Sequence, residues 1–447
     1  METRDSTAEE ADPAKCLIRG DVFRLLDLDG KFMIGHDNMT VSTNTKPICG
    51  FRDIPPGPHF LWVQQREAIS RCGYWYITGD RGVVRVRQWD AYNEVLGDVA
   101  SQFEVRMQKA NIDTIYSELI PYSLGGGRNS TPNLKSTLQS QSPNFETDPA
   151  IMWHSLTAAI SERFLNRVTN KKGVDAWLID SSDCVKWDGN SNMPQPLATA
   201  TVSQAYKLAV GSMLNFLFSQ DFQTLRLLDI GGSNQAAVDT STRILALLNS
   251  KTDAIGDDDI AAELQFTFLT GTHLGNAACL EQWWNLVLKI VLRSYKLCLW
   301  RPALCCSMLK TLHAQLVYTE DYVDISHQEN GHARAPPTEG PSSERLLFQF
   351  KPQNRRKLHK ALALYKHQLN EMLLGEGNQI KPEQVATGQA FENLEAWLYR
   401  RGWDLRSGDV GDGEVISADD SDDDDAPVIV ELDEDGHEVG LVSFSRD

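Results

Sequence analysis

The chain has 447 residues, 41% of them apolar, and a net charge of −18 at neutral pH. That length supports two or three domains. So acidic a balance argues against tight, non-specific binding to a phosphate backbone, which needs a basic surface. The eight cysteines (Cys16, Cys49, Cys72, Cys184, Cys279, Cys298, Cys305 and Cys306) contain no CxxC pair and no regular framework. Four of them fall in or beside apolar helical text, the usual setting of buried free thiols, so a reducing compartment is expected. Met1 to Pro13 is polar and acidic, with no hydrophobic stretch of the secretory kind. The longest apolar run, Leu280 to Trp300, is interrupted by Glu281, Lys289, Arg293 and Lys296, too regularly for a bilayer span. A soluble intracellular protein is the expectation.

From Leu17 to Leu96 the text reads as strands joined by tight turns. Val22 to Leu28, then Asp29-Gly30, then Lys31 to Ile34 predicts a hairpin, because the Asp-Gly pair suits positive φ in a primed turn. Pro55-Pro56-Gly57 predicts a second reversal. His59 to Val63 and Tyr74 to Ile77 are aromatic-rich strands, and Val84 and Val86 alternate with Arg85 and Arg87 in the half-buried pattern. Gln102 to Leu119 predicts helix. The glycines after Leu124 and the Ser, Thr, Asn and Gln-rich stretch to Ser142 form a linker.

Beyond Trp153 the pattern is helical. Leu280, Trp284, Val287, Val291, Tyr295 and Cys298 share one helical face, and Trp283, Leu286, Ile290 and Leu297 another, which predicts a helix packed on both sides. Pro302 opens the next helix. His327 to Ser343 is a polar insertion, and Lys357 to Leu374 and Phe391 to Leu398 are helical. The class is therefore α+β and multidomain. An N-terminal antiparallel β domain spans 17–120, a flexible linker 121–150, a C-terminal all-α helical domain 151–407, and an acidic disordered tail 408–447.

Catalytic chemistry finds little support. Leu227-Leu228-Asp229-Ile230-Gly231-Gly232-Ser233-Asn234 resembles the glycine turn of a methyl-donor or phosphate site, and the alternative function is an adenosylmethionine-dependent methyltransferase using Asp229, Gly231 and Gly232. Such a fold needs a second strand ending in an acid about 20 residues on. The chain instead gives Asn249, Ser250 and Asp257-Asp258-Asp259, so a loop between helices is expected. No histidine pair has metalloprotease spacing and no glycine-flanked serine forms a nucleophile elbow. No enzyme activity, cofactor or metal is expected. Lys351, Arg355, Arg356, Lys357 and Lys360 form a basic cluster that reads as a solvated helix face.

The C-terminal forty residues differ from the rest. Between Asp409 and Glu438 lie fourteen acids and no Lys or Arg, most of the chain's net charge. Like charges repel and stay solvated, yet Asp422 to Asp425 opens onto Val428, Ile429, Val430, Glu431 and Leu432, an apolar strand-like segment. This predicts a docking strand that adds to a partner's sheet edge; the alternative is a solubilising tail folded back on its own domain. Ser417 and Ser421 have acids three residues on, the context of acid-directed kinases, and are candidate phosphorylation sites.

Several segments, in one order, resemble the Aar-two family of U5 snRNP assembly factors. They are Gly50-Phe51-Arg52-Asp53-Ile54-Pro55-Pro56-Gly57-Pro58-His59-Phe60; Arg81-Gly82 with Trp89; Trp153-His154-Ser155-Leu156-Thr157 with Ile160-Ser161; Glu263-Leu264-Gln265-Phe266 with Leu274-Gly275-Asn276; Trp284; Tyr322-Val323-Asp324-Ile325 with Gln328; and Ala426 to Leu432. The resemblance implies a β region followed by a helical region that binds the large U5 scaffold protein through its RNase H-like and Jab/MPN-type domains. It further implies that the tail strand lies between them and that the helicase partner is held off, with other U5 proteins met indirectly, no sequence-specific nucleic-acid contact, and presence in cytoplasm and nucleus. The long linker, Leu227 to Asn234 and Gln328 to Ser343 depart from the family pattern.

Overall fold

The computed structural model describes residues 15–28, 31–43, 48–66, 68, 70–80, 82–123, 148–171, 177–185, 213–218, 239–250, 255–320 and 353–405. All of these belong to one compact unit.

Ten short strands build two five-stranded sheets. In the first, β1 (Asp21–Leu26) is central, antiparallel to β4 (Gly50–Ile54) and parallel to β7 (Val84–Asp90). The edges are β8 (Val95–Gly97), antiparallel to β7, and β9 (Ile120–Pro121), parallel to β4. The second sheet is antiparallel throughout. It runs β10 (Leu178–Asp180), β6 (Cys72–Thr78), β5 (Gly57–Gln65), β2 (Phe32–His36), β3 (Met39–Ser42). Phe23, Leu25, Phe51 and Trp89 of the first sheet meet Phe32, Ile34, Leu61, Val63, Tyr74 and Tyr76 of the second in one buried core. A further parallel pair joins β11 (Cys184–Val185) to β12 (Met213–Leu214).

The hairpin expected at Asp29-Gly30 does not form, because β1 and β2 lie in different sheets. Asp27, at φ 57°, takes the chain out of the first sheet just after Leu26. The tight hairpin is the next one: His36 pairs with Met39 across Asp37-Asn38, and Asp37 has φ 53°. The reversal at Pro55-Pro56-Gly57 likewise carries the chain from one sheet to the other, with Gly57 at φ 138°.

Both outer faces are covered, which is why several strands are buried along nearly their whole length. On the first sheet, α1 (Gln102–Ala110) and α2 (Ile112–Ile115) close over Val22, Val84, Val86 and Val99. Ser101 caps α1 by accepting from the Glu104 N–H. On the second sheet, odd-numbered β6 residues face the helical region. Trp75 stacks near Phe266 of α6 (Asp257–Leu274), and Gly73 lies under Leu274, leaving no room for a Cβ. Leu178 to Asp180, expected in the helical region, extends this sheet beside Cys72 to Tyr74.

The helical region also comprises α3 (Pro149–Thr157), α4 (Glu162–Val168), α5 (Ser241–Leu248), α7 (Ala277–Asn285), α8 (Leu297–Trp300), α9 (Pro302–Tyr318), α10 (Gln353–Gly375) and α11 (Pro382–Arg400). Pro302 occupies the first turn of α9, as its fixed φ favours. The continuous helix expected through Cys298 is broken. After α7 the chain passes through a π turn (Leu286–Ile290) and a 3-10 turn (Val291–Arg293), and Ser294 leaves helical geometry at ψ 61°. The Ser294 hydroxyl donates to the Val291 carbonyl, and the residue is fully buried, so the break is held inside the core. None of the described helices is long and apolar enough to cross a membrane.

Candidate functional site

The densest polar constellation lies where β2–β3 meets Pro55 to Phe60. Asp37 is buried, and its Oδ1 accepts from the Phe60 N–H at 2.8 Å. Its Oδ2 accepts from His59 Nδ1 at 2.6 Å and from the Tyr122 hydroxyl. His59 Nε2 lies 2.8 Å from the Pro55 carbonyl, which can only accept, so that nitrogen carries a proton. A proton also lies between Nδ1 and the Asp37 carboxylate, so the pair is a buried, hydrogen-bonded His–Asp bridge. Burial works against the Asp37 charge, but His59, His36 and these hydrogen bonds prevail and hold its pKa below the usual carboxylate value. His36 bonds Tyr76 through Nε2 and leaves Nδ1 buried without a partner. Burial, with repulsion from His59, pushes its pKa down to about 4, so it is neutral.

Ligand atoms of His36, Asp37 and His59 lie within 4.8 Å of one another. A divalent ion there would have to displace the His59 proton from Asp37 and disturb an acceptor that already serves three donors, so the residues fit a closed clasp better than a metal centre. The clasp is anchored further. The Thr78 hydroxyl also donates to Pro55, and the Trp153 indole N–H donates to the Pro58 carbonyl at 3.0 Å, tying α3 to the same turn.

A second buried joint lies in the helical region. Glu263 of α6 accepts from the Leu217 and Phe218 N–H groups and from Gln282 Nε2 at 2.9 Å. Burial pushes its pKa up to about 7 against those hydrogen bonds. Gln265 bridges to α3, accepting from the Ala159 N–H at 2.9 Å and donating to the Ser155 carbonyl at 3.2 Å. Gly275, at φ 68°, ends α6, and Asn276 caps α7 while donating to the Asp180 and Asp183 carbonyls. The family-like segments thus act as joints between elements.

Two family models match the chain in order. One, described as the AAR2 N-terminal domain, matches residues 19–170, and the other, the AAR2 C-terminal repeat region, matches residues 232–406. The chain belongs to the AAR2 family. No curated protein matches it. AAR2 membership supports a role in U5 snRNP assembly and pre-mRNA splicing. The matched segments hold both buried joints, so the AAR2 resemblance visible in Pro55 to Phe60 and Glu263 to Phe266 rests on residues that fix the scaffold.

The docking residues Val428, Ile429, Val430, Glu431 and Leu432, the serines Ser417 and Ser421, and the segment with Asp229, Gly231 and Gly232 all lie outside the described residues. The same holds for Tyr322 to Gln328. The C-terminal AAR2 match ends before the acidic tail, and neither match carries a methyltransferase description. Sequence reading passed over Asp37, Tyr76 and Tyr122. The clue to the first was an Asp-Asn pair between two short apolar runs, the natural site of a two-residue turn. On the AAR2 surface, Phe103 and Met107 are exposed one turn apart on α1, and Leu374, Ile380 and Val385 are exposed around the α10–α11 corner, the kind of side chain that partners cover.

Titration of the buried groups predicts the acid response of this AAR2 fold. His36, His273 and His313 are each pushed down to about 4 by burial. Each stays neutral when folded but takes a proton when unfolded below the ordinary histidine pKa, so stability is lost as pH falls from that value. Glu263 acts in the opposite sense, because its raised pKa lets the folded state bind the extra proton. Three histidines outweigh one carboxyl, so stability should fall by about 3 kcal/mol between about pH 7.5 and about pH 5. Glu263→Gln should steepen that fall. Urea titrations across this range measure both, and a flat profile would contradict the buried neutral histidines.

Proposed function

We propose that this chain is a non-enzymatic assembly chaperone of the U5 snRNP. Its folded body occupies the RNase H-like and Jab/MPN-type domains of the large U5 scaffold protein and holds off the helicase partner by steric competition. The ordered pair of family matches carries this reading. The structure adds support: the polar side chains of the family-like segments are spent on internal joints, so action through the outer surface is the economical reading. Val428 to Leu432 adds a strand to a partner sheet edge, and phosphate on Ser417 or Ser421 weakens that docking by placing charge beside it. The regions 17–120, 151–407 and 408–447 divide the work between β body, helical body and tether. The chain meets its partner in the cytoplasm and accompanies it into the nucleus.

Purified full-length chain mixed with recombinant scaffold domains tests this directly. A stable complex should form on size-exclusion chromatography and should exclude the helicase. Val430→Pro removes a ladder donor and should weaken binding about tenfold to a hundredfold, with the melting temperature of the free protein unchanged. The chaperone reading fails if no complex forms. The docking strand alone fails if Val430→Pro binds as tightly as the parent.

A further inference from the structure

One surface is left over from the assembly reading. Helix α10 buries Leu358, Leu362, Tyr365 and Leu369 along one stripe, which turns Arg355, Arg356 and Lys360 outward on its first two turns. All three are exposed, and no acid pairs with them among the described residues. The end of α11 lies beside them. Gly402, at φ 82°, donates to the Tyr399 carbonyl, and Trp403 donates to the Leu398 carbonyl, a Schellman turn that folds the chain back. This turn sets Trp403 against α10: the Arg355 guanidinium lies 5.5 Å over its ring, and the His359 ring centroid is 5.8 Å away. Tyr399, on the last turn of α11, is 55% exposed. Arg401 is engaged by Glu320 and by the Trp397 ring, so it does not enter the count of free cations.

Three exposed cations, one of them a guanidinium stacked on an indole, on the helix that meets the end of α11 with its exposed tyrosine, make a basic, aromatic-bearing face on a molecule of net charge −18. Cations alone would suit any polyanion. The flat groups make the difference, because unpaired bases stack on aromatic rings and on guanidinium planes, whereas a carboxylate-rich peptide has nothing to stack. We propose that the α10–α11 face binds single-stranded RNA without sequence preference, Arg356 and Lys360 holding phosphates while Tyr399 and the Arg355–Trp403 stack receive bases. The inference stands on this surface alone and does not require the scaffold contact.

The test uses the full chain and a fluorescein-labelled oligouridylate, read by fluorescence anisotropy over a salt series. Binding should appear at low salt, with log K falling against log salt with a slope of about −1.4, as two neutralised phosphates on a single strand give. The double variant Arg356→Glu/Lys360→Glu changes only exposed side chains and should lose about tenfold or more in affinity, with an unchanged circular dichroism spectrum. Tyr399→Ala should lose about fivefold or more through stacking. Labelled oligoglutamate serves as the second probe and should bind much more weakly. The proposal is overturned by absence of RNA binding at low salt, or by full binding in the double variant. It is also overturned if oligoglutamate binds as tightly as RNA while Tyr399→Ala has no effect, which would make the face a site for acidic peptides.

Discussion

Trp75→Ala should lower the stability of the described fold by about 3–5 kcal/mol, the range for truncating a large buried aromatic. Trp75 is 0% exposed and sits where the second sheet meets the helical region. Its ring packs 4.7 Å from Phe60 and 6.0 Å from Phe266, and its indole N–H donates to the Thr270 hydroxyl at 3.1 Å. Truncation leaves a cavity between the Phe60 and Phe266 rings and an unpaired Thr270 hydroxyl. The loss should be shared: far-ultraviolet and near-ultraviolet signals should shift together in urea, since the same side chain serves both regions. Trp75→Phe, which keeps most of the ring volume, should recover much of the loss. Two separated transitions in the variant would instead show that the β region and the helical region are independent folding units divided at 121–150. A loss below about 1 kcal/mol would mean that the contact between them contributes little.

Asp37→Ala should cost a similar amount, about 3–5 kcal/mol, for a different reason: it removes one partner of a buried, hydrogen-bonded bridge. The variant orphans the His59 Nδ1 proton, the Tyr122 hydroxyl and the Phe60 N–H in one step. Asp37→Asn should cost less, because its amide oxygen can still accept from Phe60. The sign of the pH dependence follows from the depressed Asp37 pKa. Stability supplied by this carboxylate is present above its unfolded pKa and is lost as pH falls through the lower folded value. The gap between parent and variant should therefore be full at neutral pH and close only in strong acid. Chemical denaturation of parent and variant at several pH values measures it. If Asp37→Ala unfolds within about 1 kcal/mol of the parent at neutral pH, the clasp is not what fixes the Pro55 turn.

Both residues show what a linear reading can and cannot reach. The strands at His59 to Val63, Tyr74 to Ile77 and Val84 to Val86, the helix after Pro302 and the helical text around Lys357 and Phe391 were legible because each rests on a local cause: a two-residue or helical period, or the fixed φ of proline. So was the resemblance to the family, since it depends on the order of short motifs along the chain.

Sheet assignment was not legible. Asp29-Gly30 has the chemistry of a hairpin turn, yet β1 and β2 part company at Asp27, whose positive φ is tolerated because the two sheets on either side share one core. The broken helix after Asn285 was hidden for a related reason. A segment apolar on every face has no period to betray a π turn, and only surrounding burial stabilises Ser294 in a non-helical geometry. The same holds for the clasp and for the basic face. Asp37, His59, Tyr76 and Tyr122 are spread across eighty-six positions, and Arg355 meets Trp403 only because a Schellman turn reverses the chain. Local propensity and motif order determined the elements and the family, because both are properties of neighbouring residues. The pairing of strands, the buried charges and the basic patch at the end of α11 were decided by tertiary packing, because long-range contacts depend on which faces exclude water together.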